Sequence, residues 1–144
     1  MAPVLFNLYL TLVLERWGMA MEYVDPATGM ELMLNINGDL FPSSRCRRTP
    51  SRAFLSDFEY ADDAILIATA RPSAVLSLTT FCNVAHDFSL TVNTVKTKFL
   101  VAGHGMLEGD CESIDINGSP VEHVEIFPYL GSVITPDARS RSDV

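Results

Sequence analysis

The sequence predicts an α+β fold, a small antiparallel sheet backed by two helices, and three observations carry that expectation. Two stretches, Val4 to Trp17 and Pro72 to Phe88, place apolar residues at helical spacing. Two Asn-Gly pairs, Asn37-Gly38 and Asn117-Gly118, lie between short apolar segments, which is a strong local hairpin signal. Between them, Phe58 and Tyr60 on one side and Ala64 to Ala68 on the other flank Asp62-Asp63, as two short strands would around a turn.

The first helix opens at Pro3, where a first turn tolerates proline, and its apolar set covers more than one face. That predicts a buried helix ending near Gly18. Asn7 interrupts the run, and Glu15 and Arg16 end it well short of the roughly 20 residues a membrane span needs. A signal peptide is not expected either, because Met1-Ala2-Pro3 carries no basic side chain and Glu15 precedes any cleavage point near Ala20. With no targeting signal in view, the expected location is inside the cell, in nucleus or cytoplasm.

Asp25-Pro26-Ala27-Thr28-Gly29 is turn chemistry, and Leu32, Leu34 and Ile36 alternate into Asn37-Gly38, predicting a short strand pair. Pro42 to Arg52 gathers Arg45, Arg47, Arg48 and Arg52 among prolines and serines and reads as a loop. Its arginines either contact a phosphate backbone or belong to a solvated connection. Pro72 opens the second helix, with Val75, Leu78, Phe81, Cys82, Ala85 and Phe88 on its core face. Thr97 to Val101 reads as a strand closed by Gly103-His104-Gly105. Ile114 and Ile116 lead through Asn117-Gly118 to Val121 and Val124 as a further hairpin. Phe127 to Ile134 is the last apolar segment, and Pro136 to Val144 a loose polar tail.

Composition narrows the function. The chain has 144 residues, 48% of them hydrophobic, and a net charge of −8, which fits one soluble globular domain or a large piece of one. An ordinary stand-alone nucleic-acid binder draws its affinity from Lys and Arg, and this chain has few. An acidic chain acting on nucleic acid needs carboxylates that hold metal ions, or basic partners supplied from elsewhere. The three cysteines, Cys46, Cys82 and Cys111, form no CxxC pair and argue against a disulfide framework. Zinc ligation by Cys82, His86, His104, Cys111 or His123 lacks the paired short spacings of structural sites, so reduced, buried thiols are expected.

Adjacent aspartates in a turn need no function in themselves. Here an aromatic residue precedes them, the small Ala61 sits beside them, and apolar strand lies on both sides. Two carboxylates on a tight hairpin repel each other, and a hard cation such as magnesium relieves that repulsion.

Tyr60-Ala61-Asp62-Asp63 resembles the tyrosine-x-Asp-Asp catalytic hairpin of the reverse transcriptases of non-LTR (LINE-type) retrotransposons. Four further stretches follow that family's order. Ala2-Pro3-Val4-Leu5-Phe6-Asn7-Leu8-Tyr9 resembles the end of its helix motif, and Asn93-Thr94-Val95-Lys96-Thr97 its Asn-x-x-Lys-Thr element. Ile116-Asn117-Gly118 with Val121-Glu122 resembles the hairpin before the primer grip, and Phe127-Pro128-Tyr129-Leu130-Gly131 the primer grip.

The resemblance implies a polymerase palm, ferredoxin- or RRM-like, in which residues 1–135 are part of a reverse transcriptase domain and 136–144 a tail. It implies RNA-directed DNA synthesis with magnesium or manganese as cofactor, and an RNA template, a DNA primer and a deoxynucleotide as partners. Asp62 and Asp63 would be metal ligands, Tyr60 and Ala61 would line the same spot, and Lys96 would match the lysine proposed to protonate the leaving pyrophosphate. Asn7 would lie beneath the nascent base pair, and Tyr129 and Gly131 near the primer backbone. Ser89 stands where the family has glycine, so a left-handed helix end there would cost about 1 kcal/mol.

The resemblance also implies that the family's first catalytic aspartate, the fingers and the thumb are not among these residues. On that basis the chain alone is expected to be inactive, to hold magnesium or manganese poorly, to bind nucleic acid weakly and to tend to self-association. The competing expectation is a non-catalytic retrotransposon remnant, inert or serving as an interaction module.

Overall fold

α1 spans Ala2–Val24, and its buried stripe, Leu10, Val13, Leu14, Trp17 and Met21, repeats at three- and four-residue steps. The structure, a computed structural model, describes residues 2–25, 29–34, 51–60, 63–103, 112–137 and 140–141. The fold is α+β, and the chain divides into two compact units, Met1–Phe88 and Ser89–Val144. In the first unit α1 is followed by β1 (Met30–Leu34), β2 (Ser51–Leu55), β3 (Asp57–Tyr60), β4 (Asp63–Leu66) and α2 (Arg71–Asp87).

The core of this unit is the contact between the two helices. α2 buries Ser77, Phe81, Val84 and Ala85, again at helical steps. Trp17, 1% exposed, sets its ring edge against Phe81 at 6.4 Å and donates its indole N–H to the Ser77 carbonyl at 3.1 Å. That bond satisfies the one polar atom of an otherwise apolar side chain, as a buried tryptophan requires. Tyr9 also packs edge-on against Phe88, and its hydroxyl donates to the Phe88 carbonyl.

α1 departs from the sequence expectation in two ways. It runs through Gly18 to Val24, because an interior glycine costs only about 1 kcal/mol and Met21 beyond it is buried on the same stripe as Trp17. Nor is it buried all round, since Val4, Leu5 and Leu8 stay mostly exposed.

β1 pairs antiparallel with β2 from Met30↔Leu55 to Leu34↔Ser51, so its described partner lies across residues 35–50 and not just beyond Asn37-Gly38. Residues Asn37 and Gly38 are outside the described set. The same pairing takes Arg52 out of the expected loop and onto a strand, opposite Met33. Gly29 admits no side chain at the entrance to β1: its φ is +105°, and a Cβ would lie 2.6 Å from the Leu55 carbonyl oxygen. β3 and β4 form a separate antiparallel hairpin.

Pro72 stands in the first turn of α2, as expected. At its other end Ser89 adopts φ +60°, the left-handed turn for which glycine is the low-cost residue.

The second unit contains β5 (Lys98–Phe99), β6 (Ile114–Ile116), β7 (Ser119–His123), β8 (Phe127–Tyr129), β9 (Ser132–Ile134) and β10 (Ser140–Arg141). β6 and β7 form the hairpin predicted over Asn117-Gly118, whose φ angles of 53° and 81° suit the right-handed twist of the strands. Ile114, Ile116 and Val121 supply its buried face. β5 shortens to two residues and joins β7 in parallel, an arrangement the sequence did not announce. β8 and β9 form a second hairpin around Leu130-Gly131, and β10 pairs with β9, so part of the expected loose tail is strand. Among the described residues the strands therefore make four small sheets and not one.

Candidate metal-binding hairpin

The β3–β4 register runs Asp57↔Leu66, Phe58↔Ile65, Glu59↔Ala64 and Tyr60↔Asp63. Directly opposed residues share a face and successive residues alternate. Phe58, Tyr60, Asp63 and Ile65 therefore form one face, and Asp57, Glu59, Ala64 and Leu66 the other. The backbone N–H of Ile67 donates to the Ser56 carbonyl at 2.7 Å, extending the ladder by one step at the end away from the aspartates.

Asp63 begins β4 and is exposed, and Tyr60 opposite it is 61% exposed. The hairpin thus brings an accessible carboxylate and an accessible phenol to its turn end, where phosphate oxygens or a hydrated cation can approach. Asp62 and Ala61 lie outside the described residues. A pair of carboxylates is an oxygen donor set of the kind magnesium and manganese prefer. Among the described residues no three His, Cys, Asp or Glu side chains gather around a common point.

On the opposite face the hairpin meets α1. The Thr11 hydroxyl lies 3.2 Å from Glu59 Oε1 and 2.9 Å from the carbonyl of Asn7, one turn earlier. Asn7 itself is exposed. Sequence reasoning did not pair Thr11 with Glu59, and the available signal was slight: a lone threonine in an apolar helical run.

The remaining site residues fall in several places. Lys96 is exposed in the turn after Asn93, its backbone N–H donating to the Asn93 carbonyl at 3.1 Å and approaching the Asn93 side-chain oxygen at 3.2 Å. Tyr129 is half-buried at the end of β8 and stacks with Phe127 at 6.4 Å, and Gly131 follows at φ 78°. Lys96, Tyr129 and Gly131 belong to the second unit, while Asn7, Tyr60 and Asp63 belong to the first. Arg45, Arg47 and Arg48 lie outside the described residues.

Among the zinc candidates, His86 is exposed, and Cys82 is a half-buried free thiol whose pKa is raised by burial. Cys46, His104 and Cys111 lie outside the described residues. In the second unit an open groove of about 690 Å³ is lined by Thr94, Lys98, Ser119, Glu122 and His123 among others. Its lysine is engaged, since Lys98 Nζ donates to Glu122 Oε2 at 2.7 Å. That bond, together with the ammonium charge, holds the Glu122 carboxyl below its ordinary range. No helix among the described residues is long and apolar enough to cross a membrane. In comparisons with known proteins, no family model, no curated protein and no solved structure matches the chain.

Proposed function

We propose that the β3–β4 hairpin is the metal-binding element of an RNA-directed DNA polymerase palm of the non-LTR retrotransposon type, with Asp62 and Asp63 as ligands for magnesium or manganese. The observation that supports this most is the register of the hairpin, which puts the exposed Asp63 opposite the exposed Tyr60 at its turn end. The order of the five sequence motifs supports it independently.

Asp62 and Asp63 would hold the divalent cation, which when bound would supply activation of a primer hydroxyl and charge stabilisation for the leaving pyrophosphate. The protein's part would be to present carboxylates where phosphates reach them, and the β3–β4 register with the exposure of Asp63 supports that role. Tyr60 offers an aromatic face and a hydroxyl opposite Asp63. Lys96 is the proposed proton donor, and Tyr129 with Gly131 the proposed contact to the primer backbone. Template RNA, primer DNA and deoxynucleotide are the proposed partners of the parent enzyme.

Asp57 and Glu59 lie on the same strand as the Tyr60 step and face away from Asp63. They do not supply a third carboxylate, so the 144-residue chain by itself is expected to give no primer extension. The alternative, a non-catalytic remnant kept as an interaction module, draws support from the exposed Val4, Leu5 and Leu8 on α1.

Manganese titration followed by NMR separates the two readings. The polymerase reading expects saturable, magnesium-competed broadening centred on the Tyr60 and Asp63 amides, abolished by Asp62→Asn or Asp63→Asn. Broadening that ignores both substitutions, or none at the hairpin, would overturn it.

A further inference from the structure

The carboxylate hairpin is short, and most of its surface is exposed. Tyr60 and Asp63 face away from the side that meets α1, and on that side a hydrogen bond between the hairpin and the helix joins Glu59 to Thr11. Thr11 has one hydroxyl hydrogen and two acceptors within reach, the Asn7 carbonyl at 2.9 Å and Glu59 Oε1 at 3.2 Å. A threonine hydroxyl donates to one acceptor at a time, and return of that bond to the i−4 carbonyl is the common resting choice in a helix.

We propose that Thr11 is a positioning residue for the carboxylate hairpin: by turning its single hydroxyl hydrogen from the Asn7 carbonyl to Glu59, it docks the back of the hairpin on α1 and fixes the aim of Asp63 on the front. The inference rests on the reading of Asp62 and Asp63 as metal ligands. Geometry carries it further. Glu59 is opposite Ala64, whose small side chain leaves room on that face for a helix to approach, and the next residue on each strand, Tyr60 and Asp63, begins the site. Movement of Glu59 relative to the helix is therefore passed directly to the neighbouring pair. Thr11 touches neither metal nor substrate, and its effect on the site is through the backbone of β3.

The test uses the full chain with Thr11→Val, Thr11→Ser, Glu59→Ala and the Thr11→Val/Glu59→Ala double variant. Two quantities are read: amide exchange of β4, with α2 amides as reference, and the affinity for manganese at the hairpin. Thr11→Val is close to threonine in shape and removes the hydrogen. It is expected to speed exchange of Ala64 to Leu66 about fivefold, the size of one net hydrogen bond, with α2 unchanged, and to weaken manganese by a similar factor. Thr11→Ser keeps the hydroxyl and restores both. Glu59→Ala reproduces Thr11→Val, and the double variant adds nothing further, as a shared interaction requires.

Additive effects, or a valine variant indistinguishable from the original in both readouts, would overturn the positioning role. Should Thr11→Val unfold the helix pair, the surface variant Glu59→Ala still decides, since it leaves α1 intact. The two proposals fail separately. An original chain whose hairpin loosens in Thr11→Val but never binds manganese retains the tether and loses both the metal site and the positioning role built on it. One that binds manganese equally in every Thr11 variant retains the metal site and loses the positioning role.

Discussion

Two hairpins of similar length, β3–β4 in the first unit and β6–β7 in the second, are stabilised in different ways. β6–β7 carries its own apolar face, with Ile114, Ile116 and Val121 buried and Val121 fully so, and its turn is Asn117-Gly118 in the left-handed conformation that a two-residue connection needs. Asp115 strengthens that turn by accepting the Gly118 N–H at 2.9 Å. β3–β4 buries no residue in its described strands: Phe58, Glu59, Tyr60, Asp63 and Ala64 are all exposed, and Asp57, Ile65 and Leu66 half-buried. It is held by its ladder, by packing of β4 near α2 and by the bond from Thr11. A hairpin whose faces stay open to solvent gives up burial, so neighbouring elements must supply the order.

The largest effect expected from this contrast comes from removing apolar side chains. Trp17→Ala empties the centre of the helix pair and should cost about 3–5 kcal/mol. Val121→Ala should cost about 2 kcal/mol in the second unit. Phe58→Ala, a larger deletion than Val121→Ala but on an exposed strand, should stay within about 0.5 kcal/mol. Denaturant unfolding followed by helical circular dichroism for the first unit, whose two helices carry that signal, and by amide exchange for the second, measures all three. A cost for Phe58→Ala as large as that of Val121→Ala would mean that the β3–β4 face is covered, and the contrast would fail.

The turns give a smaller effect and sharpen the same point. Gly118 sits at φ 81°, and a Cβ there would meet no atom within 4 Å, so Gly118→Ala meets only backbone strain and should cost about 1 kcal/mol. Leu130 holds φ 51° in the β8–β9 turn, where a branched residue is costly and asparagine is tolerated. Leu130→Asn should therefore stabilise the second unit by about 0.5–1 kcal/mol, read as slower exchange of the β8 and β9 amides. Leu130 is 55% exposed, so little burial is lost in return.

Legibility in the sequence followed the range of the interaction. The β6–β7 hairpin could be read because Asn-Gly encodes its turn locally, whereas the β8–β9 hairpin was missed because Leu130-Gly131 carries no such signature. Gly18 misled, since its local preference for ending a helix was outweighed by burial of Met21, a tertiary effect. Parallel pairing of β5 with β7 joins residues 24 positions apart, and the two-residue strand at Ser140–Arg141 is polar and too short to show a period, so periodicity cannot announce either. At the candidate site the aspartates were visible as a motif, and the left-handed Ser89 was visible through the family resemblance. Thr11 and Glu59 were not, because 48 positions separate them and their contact exists only once α1 and the hairpin have docked.

The smallest expected effect concerns the polar tie of the second unit. Lys98 and Glu122 are opposite each other on the parallel β5–β7 pair, and the bond between them lowers the Glu122 pKa, chiefly through the hydrogen bond and then through the charge. A carboxyl depressed in the folded state stabilises the fold above its ordinary pKa, and that contribution is lost as pH falls through the depressed value. The Glu122 side chain is exposed, so solvent and salt screen the pair, and the effect should be only just measurable. Glu122→Gln keeps the shape and removes the charge. The original chain should therefore melt slightly above this variant at neutral pH, and the gap should close in acid. It should also close at about 1 M salt, where the screening length is about 3 Å. A gap that persists under both conditions would show that Glu122 contributes by packing in the groove and not by charge, and that the second unit, like its buried hairpin, is held by contact alone.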